Sequence, residues 1–328
     1  MGTILAKAAN RYNLRWPIVS AHELPPIWIA IAFLLVIVVG VSGKIIGCDV
    51  KLLGSTFSYI ALVWACGVGV GMIGAKLLGG CMRLVAVFML LALATPWASD
   101  VLAVNGLPYA DDMLATLDAW LFGGFDWPTM IEVVRPHTKA LLLLSYAYAS
   151  LNWQPLILLA LLCCAGKMVF AWRFLTAWAI ALGFCLLVFP FCPAVGGYSH
   201  FHIGPETIPG VRVMSAWEYP VLLGKLRDGS VHVLDLSNLA GIIAMPSFHA
   251  ASSVLLAWGY GRLRWLYWPF LALNAAMLVS AVPIGGHYLI DVLAGALVAG
   301  LSIIIANRWV DAGSRESEPH PSRASAIA

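Results

Sequence analysis

Two short stretches late in the chain carry the side chains best suited to chemistry. "PSFHAASSVLLAW" places Ser247 and His249 directly before an apolar run, and "SAVPIGGHYLIDVLAG" places His287 and Asp291 four residues apart. On a helix, residues with this spacing lie on one face and can interact. A carboxylate that accepts a hydrogen bond from one imidazole nitrogen fixes the tautomer and makes the other nitrogen more basic. The spacing therefore predicts an activated histidine, suited to act as a nucleophile or a general base.

The segment between these stretches predicts that the two histidines meet. After His249 the sequence indicates an apolar helix, a turn at "GRLR" and a second helix that ends before His287. Each helix is long enough to cross most of a bilayer, so both histidines return to one surface. Ionisable residues at membrane depth usually indicate function. Catalysis is the first interpretation, a proton relay in a transporter is the second, and a structural ion pair between helices is the third.

The composition indicates the elements that must position these residues. Of 328 residues, 61% are apolar and 11% are charged, and the mean hydropathy is +0.89. A soluble domain carries about 25% charged residues, so the chain is predicted to be an all-α polytopic integral membrane protein. The net charge of +3 is too small to indicate a nucleic-acid partner. The candidate transmembrane helices are residues 27–47, 57–79, 83–104, 136–151, 154–168, 172–192, 245–261, 264–283 and 286–307.

The sequence divides into four parts. Residues 1–110 hold the N-terminal transmembrane helices, and residues 133–310 hold six further helices with a long non-cytoplasmic loop at 193–243. Between them, residues 111–132 are predicted to form an amphipathic segment in the membrane interface. A helix packed on the bundle by its apolar face is the alternative for this segment. The polar end of the chain, residues 311–328, is predicted to be a disordered cytoplasmic tail.

Charge and small residues add two predictions about packing and orientation. Asp111, Asp112 and Asp118 share the polar face of the amphipathic segment, and the Gly67–Gly71 pair indicates close packing of two helices. Three short loops are predicted to be cytoplasmic because they carry basic residues, namely Lys167, Arg173, Arg262, Arg264, Arg308 and Arg315.

The predicted orientation contains one conflict. The histidines fall on the non-cytoplasmic face, which is the periplasmic face if the protein lies in a bacterial inner membrane. Nine full spans would then put the N-terminus outside, whereas Lys7, Arg11 and Arg15 favour the inside. Either one early segment is re-entrant, or the number of spans is wrong by one.

No metal site is predicted. The seven cysteines lack the spacing of a zinc site and are interpreted as core residues, and His200, His202 and His232 have no recognised ligand spacing. The expected partners are the lipid bilayer and a membrane lipid substrate. The oligomeric state is left open.

Taken together, the two histidine stretches resemble the second and third signature motifs of the type 2 phosphatidic acid phosphatase superfamily, PSGH and SRxxxxxHxxxD. The resemblance covers both motifs, their spacing and a six-helix layout from about residue 133 to residue 308. It implies a six-helix phosphatase-type core, here preceded by two or three extra transmembrane helices. It also implies covalent catalysis without a metal ion or other cofactor.

The resemblance implies a role for each matching position. His287 would attack phosphorus and form a phosphohistidine, and Asp291 would orient it. His249 would protonate the leaving alkoxide. Ser247, together with nearby backbone amides, would hold the phosphate oxygens.

The sequence departs from the family pattern where phosphate-binding cations usually stand. Phe248 replaces the glycine of PSGH, and Ala281 takes the place of the arginine in the third motif, although Ser280 is kept. The first motif, KxxxxxxRP, is missing before the long loop. The Arg135-Pro136 pair lacks the lysine seven positions earlier and falls on the opposite side of the membrane in the predicted topology.

Replacement cations are therefore sought in the long loop. Arg212, Lys225 and Arg227 are the candidates there, although solvated loop charges are an equally good interpretation. The predicted substrate-binding residues are Ser247, Phe248, Ser280, Arg227 and Lys225.

The pattern of losses is similar to that of the inositol phosphorylceramide synthase branch. That branch keeps both histidines and the aspartate, with an "HYxxDV"-like third motif such as the one that begins at His287. There, a lipid alcohol rather than water resolves the phosphohistidine. The resemblance thus implies a lipid phosphotransferase or a lipid phosphate phosphatase, and a proton-coupled transporter remains the alternative.

Overall fold

The computed structural model describes residues 21–43, 45–208, 216–231, 233–234 and 241–316. These residues are almost entirely helical, apart from two short parallel strands, β1 (Gly47–Cys48) and β2 (Val233–Leu234). The α-helices are α1 (Leu24–Ser42), α2 (Val50–Met72), α3 (Lys76–Ala103), α4 (Asp111–Leu121), α5 (Trp127–Val134), α6 (Thr138–Ala149), α7 (Gln154–Cys164), α8 (Met168–Val188), α9 (Gly196–His200), α10 (Glu218–Arg227), α11 (Phe248–Tyr260), α12 (Tyr267–Ser280) and α13 (Leu289–Glu316).

The long apolar helices confirm an all-α integral membrane protein. Within the described ranges, five helical segments are long and apolar enough to cross a bilayer, and they contain α1, α2, α3, α8 and α13. Helices α6 and α7 pass the same test only together and are bent by 56° at the break between them. Pro155 lies in the first turn of α7, and because proline has no amide hydrogen it interrupts the hydrogen bonds of a continuous helix.

The two spans predicted at residues 136–151 and 154–168 correspond to this bent pair, whose halves are each too short to cross a bilayer alone. Helix α6–α7 runs antiparallel to α12, because Ser150 contacts Met277 while Gln154 contacts Asn274 further back along α12. Lys167, after α7, donates to the carbonyl of Arg262, after α11, so both turns lie at one end of the bundle. We call this the basic end.

The N-terminal helices follow the same axis. Arg83 of α3 pairs with Glu23 at 2.9 Å before α1 begins, and the far ends of the two helices meet where Gly40 contacts Val101, so α1 and α3 are parallel. Helix α2 runs antiparallel to α3 and packs against it. A Cβ added at Gly79 of α3 would overlap the backbone of α2 at the Gly67–Gly71 pair, which confirms the predicted close packing.

Counting the bent pair once and including the shorter helices α11 and α12, the described helices run between the two ends of the bundle eight times. An even number of spans would remove the conflict between the nine predicted spans and the basic N-terminal residues, and the number of spans stays a prediction. The Arg135-Pro136 pair lies between α5 and the start of α6, so it belongs to the opposite end, which holds the two histidines. The prediction that it lies on the other side is therefore wrong, because that prediction counted α6 and α7 as two spans.

The segment 111–132 contains helices α4 and α5. Two of the three aspartates on its predicted polar face are buried. Asp111 and Asp118 are 3% and 1% exposed, whereas Trp120 is 78% exposed and Met113 is 51% exposed. The prediction of an exposed acidic face is wrong for these two aspartates, because their carboxylates accept hydrogen bonds from buried backbone amides. Placement of this segment in the membrane interface stays a prediction.

Two predicted irregular regions are partly helical. The described parts of the loop 193–243 contain α9, α10 and β2, and β2 pairs with β1 to join the loop to the α1–α2 connection. Helix α13 continues to Glu316, so the prediction of disorder is wrong for residues 311–316. No proline occurs between the start of α13 and Pro319, so none interrupts the helix. The rest of the predicted tail, residues 317–328, lies outside the described residues.

Candidate active site

The start of α11 is held directly on α13. Ser247 is the N-cap of α11, and its hydroxyl accepts a hydrogen bond from the amide of Ala250 at 3.3 Å. The amide of Ser247 donates to the backbone carbonyl of Asp291 at 3.0 Å. A Cβ at Gly295 would overlap the carbonyl of Ser247, so glycine permits this close approach. The contact fixes the level of His249 relative to Asp291.

His287 and Asp291 form the predicted pair. The distance from His287 Nδ1 to Asp291 Oδ2 is 3.5 Å, and both side chains are buried. Asp291 Oδ2 also accepts from the amide of Tyr288 at 3.0 Å. At 3.5 Å this contact is longer than an ordinary hydrogen bond, and His287 Nδ1 has no hydrogen-bond partner among the described residues. Catalytic hydrogen bonds often form fully only when substrate binds. The carboxylate faces Nδ1, which leaves Nε2 as the nitrogen available for chemistry.

The two histidines meet, as their spacing predicted. Their ring centroids are 6.4 Å apart and the rings are inclined at 52°. Tyr148, at the end of α6, stacks on His249 with centroids 3.7 Å apart and an angle of 11°. A side chain from the bent span thus supports one histidine from the face of its ring.

The turn before His287 requires glycine. Gly286 has a φ of +76°, which favours glycine. A Cβ at Gly285 would lie 2.8 Å from Tyr148 and 2.9 Å from His287. The amide of His287 donates to the carbonyl of Ala281 at 3.2 Å, closing the turn. The "GGH" sequence therefore lets the histidine approach Tyr148 closely.

Three residues of the segment 111–132 hold the same turn and were not identified from the sequence. Asp118 accepts from the amides of Leu289 and Ile290 at 2.7 and 2.8 Å. Asp111 accepts from the Tyr288 hydroxyl at 3.0 Å and from the backbone at the start of α9. Trp127 Nε1 donates to the carbonyl of His287 at 3.2 Å. Burial raises the pKa of Asp118, and its two backbone hydrogen bonds oppose that rise.

The remaining motif residues have structural contacts. The ring of Phe248 meets Trp178 of α8 edge to face, with centroids 5.1 Å apart, so the residue that replaces the motif glycine fills space against α8. The hydroxyl of Ser280 donates to the carbonyl of Met277 at 2.7 Å and is fully buried. Substrate binding by Ser247, Phe248 and Ser280 stays a prediction.

The predicted replacement cations lie on α10. Arg227 donates to the carbonyl of Leu107 at 2.7 Å and lies over the ring of Tyr109 at 4.3 Å, so its guanidinium holds the connection between α3 and α4. Lys225 is exposed. Arg212 and His232 lie outside the described residues. Neither α10 residue is brought to the histidines by these contacts, and phosphate binding by them stays a prediction.

A cleft of about 270 Å³ lies beside this site rather than in it. Its walls come from α4, α5 and Phe201, with Tyr288 on one side. Neither histidine is among its lining residues. In the part of the chain that the structure describes, no group of three or more histidine, cysteine or acidic residues is placed to hold a metal ion.

Comparison with known proteins agrees with this geometry. The family model described as the PAP2 superfamily matches residues 112–305, which is more than half of the 328-residue chain. The matched region begins in α4 and includes both histidines and Asp291. No curated protein and no solved structure gives a significant match. The chain therefore belongs to the PAP2 superfamily, whose members are generally phosphatases or phosphotransferases.

Proposed function

We propose that this protein is a membrane enzyme that transfers a phosphoryl or phospho-headgroup unit of a lipid through a phosphohistidine at His287. The observation that carries the proposal is the placement of His287 between two groups. Asp291 lies 3.5 Å from its Nδ1, and the ring of His249 lies 6.4 Å away. This separation suits a phosphoryl group that contacts both rings.

Each half-reaction has a role for these side chains. In the first, His287 Nε2 forms a bond to phosphorus while the bond to the leaving oxygen breaks, and that oxygen takes a proton from His249. In the second, an incoming hydroxyl gives its proton to His249 and bonds to phosphorus as the N–P bond breaks. Asp291 holds Nδ1 and stabilises the positive charge that develops on the ring.

Phosphate charge needs positive partners. The N-terminus of α11, at Ser247, offers backbone amides and the favourable end of the helix dipole. Arg135 is a further candidate because it belongs to the histidine end, where it forms a half-exposed ion pair with Glu132 at 2.8 Å. Lys225 and Arg227 remain the candidates from the long loop.

Transfer and hydrolysis differ only in the second acceptor. The missing motif cations favour an inositol phosphorylceramide synthase-like transfer to a lipid alcohol, whereas the general activity of the superfamily favours hydrolysis. The basic end is expected in the cytoplasm, so the site would open to the opposite face, the periplasm for a bacterial inner membrane.

Purified protein in detergent tests both versions against a panel of phospholipids and lipid phosphates. Each substrate is supplied with and without ceramide or diacylglycerol, and phosphate release and head-group transfer are followed in parallel. Release without an acceptor indicates a phosphatase, and acceptor-dependent product indicates a transferase. Either activity should fall by about 10³-fold or more in His287→Gln, since the nucleophile is removed. Equal turnover in the variant would refute the role of His287.

The transporter alternative has one structural observation in its favour, the broken span α6–α7, because transporters often bind substrates at broken helices. Here side chains of neighbouring helices bond to the polar groups at the break. The Tyr260 hydroxyl donates to the backbone carbonyl of Gln154, and the Asn274 amide donates to the side-chain oxygen of Gln154 at 3.0 Å. Proton flux in proteoliposomes, with no turnover of any lipid, would favour transport over catalysis.

A further inference from the structure

The first turn of α13 is capped by a residue distant in sequence. A helix leaves its first amide hydrogens without partners inside the helix. In α13, the amide of Tyr288 is bonded by Asp291, and the amides of Leu289 and Ile290 are bonded by the two carboxylate oxygens of Asp118. Asp118 is separated from these partners by 171 and 172 residues. The start of α13 therefore depends on α4 for its cap.

Helices α4 and α5 also hold the residues on both sides of the peptide bond that joins His287 to Tyr288. Asp111 accepts from the hydroxyl of Tyr288, and Trp127 donates to the carbonyl of His287. With Asp118, these contacts bind four consecutive residues after the glycine turn, from His287 to Ile290. His287 lies in the turn before α13, so the position of its ring is determined by α4 and α5 as well as by the start of that helix.

We propose that Asp118 is a positioning residue for His287, an inference that rests on the proposed function. Asp118 is 1% exposed and both its oxygens are bonded to backbone amides, so it acts through the turn and not on substrate. Displacement of a reacting group by about 1 Å can cost about 100-fold in rate. Asparagine cannot replace it, because its amide nitrogen would face a second N–H donor.

The test compares Asp118→Asn with Asp112→Asn in the full-length protein. Asp112 lies on the same helix with its side chain fully exposed, so it provides a matched control. We expect kcat to fall by about 10- to 100-fold in Asp118→Asn, with KM within about 3-fold of wild type, and no change in the control. A merely structural role would lower Tm and yield but leave kcat per folded molecule unchanged, and that result would overturn the proposal.

Hydrogen exchange provides a second measurement that does not depend on turnover. The amides of Leu289 and Ile290 should exchange about 10-fold faster or more in Asp118→Asn, while α8 is unchanged. Unchanged exchange at both amides would overturn the proposal even if kcat fell. If wild type and His287→Gln turn over substrate equally, the proposed function fails. Hydrogen exchange at Leu289 and Ile290 then decides by itself whether Asp118 holds the turn.

Discussion

Gly295 lies where the start of α11 closely approaches α13. A Cβ there would overlap the carbonyl of Ser247, and Gly300, on the same helix, has no atom within 4 Å of an added Cβ. Gly295→Ala should therefore push the start of α11 away from α13 and destabilise the protein by about 1–3 kcal/mol. Gly300→Ala should be neutral or slightly stabilising, since alanine favours the helix. Thermal unfolding in detergent measures both, and equal Tm values for the two variants would contradict this account of the contact.

At the residue scale, the sequence predicted the contact of His287 with Asp291 and the approach of the two histidines, and it missed the contacts that α4 and α5 make with the turn before α13. His287 and Asp291 were identified because residues four apart share a helix face. Asp118 was placed on the polar face of an amphipathic segment, and the sequence alone does not show whether the partner of such an acidic residue is water or a backbone amide. Its partners lie about half the chain away. Only the folded arrangement distinguishes the two cases.

At the scale of elements, the packing of α2 on α3 rests on small residues. Gly79→Ala should separate these helices, because the added Cβ would overlap the α2 backbone, whereas Gly69→Ala should not, since an added Cβ there has open space. We expect a lower Tm for the Gly79 variant alone. The contact of Gly79 with α2 lies near the basic end, away from the histidines, so kcat per folded molecule should be kept in both variants. A Gly79 variant as stable as wild type would show that the close approach is unimportant.

The break in α6–α7 shows where element prediction from hydropathy fails. Two apolar runs of about 15 residues were each assigned a full span, although a span needs about 20 residues. The proline at 155 marked the break, but hydropathy does not report the angle between the two halves. The structure gives that angle as 56°, and only the two halves together are long enough to cross a bilayer.

At the scale of the whole molecule, counting α6–α7 as one passage leaves three passages, α6–α7, α8 and α11, between Asn105 and Arg264, and this predicts that the two residues lie on opposite sides of the membrane. Single cysteines at Asn105 and Arg264, in a background without the native cysteines, test this. Both positions are exposed, and they lie at the histidine end and the basic end. On intact cells, a membrane-impermeant maleimide should label Asn105→Cys. It should label Arg264→Cys only after the cells are permeabilised. Labelling of both positions, or the reverse pattern, would contradict the arrangement.

The central claim is that phosphate passes through His287, and trapping the intermediate tests it most directly. A radiolabelled substrate from the active panel is mixed with enzyme and quenched in alkaline denaturant, and the labelled peptide is sequenced by mass spectrometry. We predict an acid-labile phosphate on His287 in wild type and none in His287→Gln. Turnover with no phosphate on His287, or phosphate on another residue, would contradict the mechanism.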